Sequence, residues 1–141
     1  MFATYIQAYE QGWCLFPDVE ECLDALADHR LGVITNGQRD QQVTKLKRTG
    51  ILHRFDCVVV PSDCGLPKPE SAMFHHACSL ADVSSKQAVY VGDAYDVDAL
   101  AARRAGLVGV WLDRSGTARG EHAPPVIGSL TDLPALVRTL T

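Results

Sequence analysis

The apolar positions of this chain fall into short unbroken runs, separated by longer stretches in which they recur every three or four residues. Ala88-Val89-Tyr90-Val91 is the clearest run, rich in strand formers and without a polar break, as expected of a strand covered on both faces. Leu31 to Thr35, Phe55 to Val60 and Leu107 to Leu112 read as further strands, and Val126-Ile127 as a short edge strand. Between them the spacing predicts helices. One runs from about Pro17 to about His29 with Val19, Leu23 and Leu26 inward, and another from about Asp40 to Thr49 with Val43 and Leu46 inward. Further helices are predicted from Glu70 to Leu80, through the small residues Leu100, Ala101, Ala102 and Ala105, and from Leu133 to Leu140. Residues 2–13 read the same way, with Phe2, Tyr5, Ile6, Tyr9 and Trp13 along one side. Pro17 with Asp18, Glu20 and Glu21 suits a helix start, and Gly50 and Gly106 suit helix ends.

Strands alternating with helices in this way predict an α/β fold, a Rossmann-like parallel sheet with helices on both faces. Right-handed crossovers then bring the carboxyl ends of all strands to one edge. At 141 residues the chain makes one domain. Its net charge of −4 and 21% charged residues offer no basic face, which argues against nucleic-acid and anionic-membrane partners. No apolar run approaches the roughly 20 residues that span a bilayer, and MFATYIQAYEQGW lacks the basic start and apolar core of a signal peptide. A cytoplasmic location is expected. The five cysteines, Cys14, Cys22, Cys57, Cys64 and Cys78, contain no C-x-x-C pair and read as small hydrophobes rather than a disulfide or zinc framework. His75-His76 cannot share a helix face, which argues against a two-histidine metal site.

Three stretches of the predicted edge carry candidate chemistry. Thr35-Asn36-Gly37 offers a hydroxyl and two amides ahead of a helix, an anion cradle or simply a turn. Lys68, between Pro67 and Pro69, is a positive charge on a stiffened loop or an ordinary surface lysine. Asp93, Asp96 and Asp98 follow Gly92, which comes after the Ala88–Val91 run and where the backbone is expected to turn sharply. Three readings of these carboxylates stand: helix caps, a solvated loop, or a hard-cation site. Lys45, Lys47 and Arg48 read as a solvated face. Together, an anion cradle, a lysine and a cation site are the components of phosphoryl transfer.

The runs ITNGQ, GLPKPESAMF and VGDAYDVDALAARRAG followed by GVWLDRSG resemble the haloacid dehalogenase-like hydrolase superfamily, in its phosphatase-like branch, from about Leu15 to Leu140. The resemblance implies that Thr35, Asn36, Gly37 and Lys68 bind phosphate, with Thr35 and Lys68 also acting in catalysis. It implies that Asp93 and Asp98 support Mg²⁺, weakly in this chain, and leaves Asp96 as a helix-start carboxylate. The expected activity is Mg²⁺-dependent hydrolysis of a small phosphorylated substrate. Family members open with D-x-D at the end of a first strand, and its first aspartate attacks phosphorus. No such strand and D-x-D precede Thr35, and Asp96-Val97-Asp98 belongs to the later motif. Residues 1–14 are therefore expected to be a remnant of the family's helical cap. Residues 15–141 are expected to form the core without its first strand, truncated and inactive as written. The alternatives are a non-catalytic module binding an anion or a partner, or one half of a two-chain enzyme. The gap left by the absent strand is expected to be closed by direct pairing of its neighbours, by self-association or by a partner strand.

Overall fold

The computed structural model describes residues 2–4, 17–64, 71–116 and 124–140. Six parallel strands form one sheet: β1 (Phe2–Thr4), β2 (Arg30–Ile34), β3 (Cys57–Val59), β4 (Ala88–Gly92), β5 (Val108–Leu112) and β6 (Val126–Ile127). Their order is β3-β2-β1-β4-β5-β6. The helices are α1 (Val19–Ala25), α2 (Arg39–Arg48), α3 (Ser71–Ala81), α4 (Ala101–Arg104) and α5 (Leu133–Leu140). The fold is the Rossmann-like α/β arrangement, and β2 to β6 lie where the apolar runs placed them.

The centre of the sheet differs from expectation. Phe2–Thr4 is a strand rather than the start of a helix, and it pairs with β2 through Arg30 to Gly32 and with β4 through Ala88 to Tyr90. The gap foreseen between β2 and β4 is thus filled by the chain's own residues, neither closed by direct pairing nor left for a partner. The physical reason is that both neighbouring strands present a row of unpaired backbone donors and acceptors, and a central segment satisfies both rows at once. The rest of the helix read over residues 2–13 lies outside the described residues.

The pleat of β4 divides the core. Val89 and Val91 face α1, α2 and α5, packing with Val19, Leu23, Val33, Leu46, Leu133 and Val137. Ala88 and Tyr90 face α3 and α4, packing with Phe74, Ala77, Cys78, Ala101 and Ala102. All five residues of β4 are buried, as its unbroken apolar run requires. Sequence order reverses direction between β1 and β4, which makes the carboxyl ends of these central strands a topological switch point, the usual ligand position in open α/β sheets.

Three helices stop in one way. After α2, Ile51 N–H reaches Leu46 O and Gly50 N–H reaches Lys47 O, both at 3.1 Å. After α3, Val83 and Asp82 repeat this on Cys78 and Ser79, and after α4 Leu107 and Gly106 repeat it on Ala102 and Arg103. This double bond needs a left-handed residue, and φ is 79° at Gly50, 55° at Asp82 and 95° at Gly106.

Candidate functional site

At the switch point lies a cavity of about 470 Å³. The loop leaving β2 contributes Thr35, Asn36 and Gly37, and the end of β4 with its following turn contributes Tyr90 to Ala94, Val97 and Asp98. Of the residues singled out in the sequence, Thr35, Asn36, Gly37, Asp93 and Asp98 thus share one cavity, while Asp96 does not line it. Lys68 lies outside the described residues, as do Cys14 and most of the polar loop before Pro125.

The turn carrying the aspartates is wider than a regular helix. Tyr95–Leu100 forms a π-helix that runs directly into α4, a form that recurs at functional sites. It lies so close on β5 that a Cβ on Gly109 would stand 2.0 Å from the Ala99 carbonyl oxygen. Within this turn Asp98 is held at both oxygens. Ala94 N–H donates to Oδ2 at 3.0 Å, and the Tyr90 hydroxyl lies 3.4 Å from Oδ1. The same hydroxyl is 3.3 Å from the Ile34 carbonyl, so Tyr90 ties Asp98 to the end of β2 across β1. Gly92 is required for room. A Cβ there would fall 2.4 Å from the Cβ, Cγ and Oδ2 of Asp98.

Asp93 is fixed through its backbone. Trp111 Nε1–H donates to the Asp93 carbonyl at 3.1 Å, and the Tyr95 ring meets Trp111 edge-on with centroids 5.0 Å apart. The Asp93 carboxylate itself is exposed at the cavity. Thr35 N–H is bound to Val59 O at 3.0 Å, and Gly37 N–H reaches Thr35 Oγ1 at 3.5 Å. No group of three or more His, Cys, Asp and Glu side chains is gathered for a metal among the described residues. The cavity does offer two carboxylates, hard oxygen donors that fit Mg²⁺, an ion that takes its remaining ligands from water and phosphate.

Two contributions escaped the sequence reading. Gln42 and Lys45 of α2 line the cavity, so Lys45 does not belong to the solvated face shared by Lys47 and Arg48. Their signal was the three-residue spacing on the helix that leaves the Thr35 loop. Tyr90 and Trp111 were read only as strand residues, because no local pattern reports a hydrogen bond to a distant loop. Three of the described thiols are held in the protonated form. Burial pushes Cys22 up to about 12, with the neighbouring Asp18 charge adding to the effect, and burial also raises Cys57 and Cys78. His75 is spent on packing, its Nε2 lying 2.8 Å from Ala105 O.

Residues 1–111 match the family model described as haloacid dehalogenase-like hydrolase. The mouse N-acylneuraminate-9-phosphatase is 31% identical over 135 residues, covering 92% of this chain and 54% of that protein. The glyceraldehyde 3-phosphate phosphatase of Methanopyrus kandleri is 40% identical over 101 residues, 70% of this chain and 43% of the other. Among solved structures, a haloacid dehalogenase-like phosphatase from Thermococcus onnurineus superposes with a TM-score of 0.79 at 33% identity, over 87% of this chain and 58% of that one. The chain spans about half the length of the curated relatives it matches. The matched model covers β1 to β4 and nearly all of β5, and with it both halves of the cavity, so the chain belongs to the haloacid dehalogenase-like hydrolase superfamily, in its phosphatase-like branch.

Proposed function

We propose that the cavity binds small phosphomonoesters together with Mg²⁺, and that this chain, as its sequence stands, holds them without catalysing their hydrolysis at a rapid rate. The observation that carries the reading is the convergence of the Thr35–Gly37 loop and the Asp93 and Asp98 carboxylates on one cavity at the switch point. The Thr35 hydroxyl and the Asn36 and Gly37 amides would take phosphate oxygens, and Lys68 would neutralise them. Asp93 and Asp98 would hold Mg²⁺, which supplies charge neutralisation at the phosphoryl group when bound. Its affinity without phosphate is weak, since only two carboxylates serve it. The phosphatase names of the relatives support a phosphate ester over a haloacid. The free, buried thiols Cys22 and Cys78 suit a reducing, cytoplasmic setting.

The family's D-x-D nucleophile has no counterpart ahead of Thr35 in this sequence. The end of β1 is followed by Tyr5-Ile6-Gln7, and the sequence ahead of Asp18 holds one carboxylate, Glu10, with no D-x-D. Covalent catalysis needs a nucleophile at phosphorus, and losing one from a hydrolase of another kind costs on the order of 10⁶ in rate. The p-nitrophenyl phosphate assay with Mg²⁺ should therefore give only a background rate. Calorimetry should show inorganic phosphate binding that depends on Mg²⁺ and weakens about tenfold or more in Thr35→Ala and Asp93→Asn. Binding indifferent to both substitutions would remove the site. Robust turnover lost in Asp93→Asn would mean a nucleophile elsewhere in the chain.

A further inference from the structure

We propose that Lys45, with Gln42 one turn before it, forms a second anion-binding subsite of the cavity, which takes a carboxylate on the organic part of the phosphoester. The inference rests on the reading of the cavity as a phosphoester site and specifies which esters it selects. Lys45 is half-buried against the cavity, whereas Lys47 and Arg48 of the same helix are exposed. The ion pairs of Arg39 with Asp63, Arg54 with Asp24 and Arg114 with Asp18 do not use Lys45. A cation is thus held at the cavity wall without a counterion among the described residues.

Gln42 is turned the same way. A Cβ on Gly37 would lie 2.1 Å from Gln42 Nε2 and 2.8 Å from its Cδ, so the amide is folded down on the Thr35–Gly37 loop. Glycine leaves the room it occupies. Residues three apart share a helix face, and helical side chains lean toward the N-terminus. A Lys45 ammonium that follows this lean would lie back over Gln42 toward the loop, where it could meet the organic part of a bound ester.

Charge and donor count select the ligand. Asp93 and Asp98 line the same cavity and would be taken up by Mg²⁺, so Lys45 is the cation of α2 left at the cavity for an ester's carboxylate. One ammonium and one amide match the single charge and two oxygens of a carboxylate, whereas a second phosphate dianion calls for more donors.

The slow turnover proposed above lets the test be run at equilibrium. Calorimetric titrations in excess Mg²⁺ compare 2-phosphoglycolate with ethyl phosphate, which are close in size and differ by a carboxylate against a methyl group. The expected result is about tenfold or greater preference for 2-phosphoglycolate. Lys45→Gln should abolish the preference by weakening 2-phosphoglycolate about tenfold more than ethyl phosphate, and Lys45→Arg should retain it. Equal affinities in the parent, or a preference surviving Lys45→Gln, would overturn the subsite while inorganic phosphate binding still upheld the cavity. An equal loss for both esters would move Lys45 to the phosphate cradle and overturn the subsite as well. Binding of no phosphate species at all would fell the reading of the cavity and the subsite with it.

Discussion

The aspartate loop shows how closely single residues are fitted here. Gly92 reads in sequence as a place where the backbone turns, yet it is the last residue of β4, and its value lies in the space that Asp98 occupies. Gly92→Ala should therefore act by crowding. The added methyl would displace a carboxylate pinned by Ala94 N–H and the Tyr90 hydroxyl, and overpacking of this kind costs about 1–3 kcal/mol. Urea denaturation should register that loss, and phosphate binding should weaken beyond it because Asp98 moves. A variant as stable as the parent would show that the loop adapts. The residues at the cavity were legible in sequence where chemistry and order coincide, as in Thr35-Asn36-Gly37 and Asp93 to Asp98. Lys45 was not, because three nearby cations on one helix look alike until the helix is docked.

At the scale of elements, the helix ends repay comparison. Gly50 and Gly106 announce their left-handed positions in sequence, and Asp82 occupies the equivalent position after α3 without glycine's freedom. Asp82→Gly should relieve the side-chain penalty, stabilising the fold by roughly 0.5–1 kcal/mol once the looser unfolded chain is set against it. Thermal denaturation checks this, and a lower Tm would mean that the aspartate side chain makes an offsetting contact. Strands and helices with their own apolar signature were legible, β4 above all. Two elements were not. The aromatic spacing from Phe2 to Trp13 fits a helix, but Phe2–Thr4 is drawn into the sheet by the open edges of β2 and β4, which no local period reveals. The π-helix at Tyr95–Leu100 depends on the close approach of β5 at Gly109 and is equally invisible.

Across the whole molecule, Asp18 joins segments far apart in sequence. It stands at the start of α1 but makes no side-chain cap there. Its carboxylate instead accepts from Arg114 Nη1 at 2.8 Å and Nη2 at 3.0 Å, and from Ser129 Oγ and Leu130 N–H at 2.9 Å. Burial would raise its pKa, but these donors and the Arg114 charge prevail and hold it at about 2 against an ordinary 3.8. The folded carboxyl therefore binds its proton less readily than the unfolded one. Its contribution, about 2 kcal/mol, is complete above roughly pH 4 and is lost as pH falls through 2. Asp18→Asn should lower Tm at pH 7, and the two proteins should converge near pH 2; a constant offset across that range would deny the linkage. The placement of the cavity has a further thermodynamic result. Its walls come from the ends of β2 and β4, joined in the sheet only through the three residues of β1. A phosphate ester gripped on both sides would act as a removable cross-brace. At a hundredfold excess over its dissociation constant, such a ligand adds about 2.7 kcal/mol to the folded state by mass action alone. The melting temperature of this chain would then serve as a gauge of ester concentration.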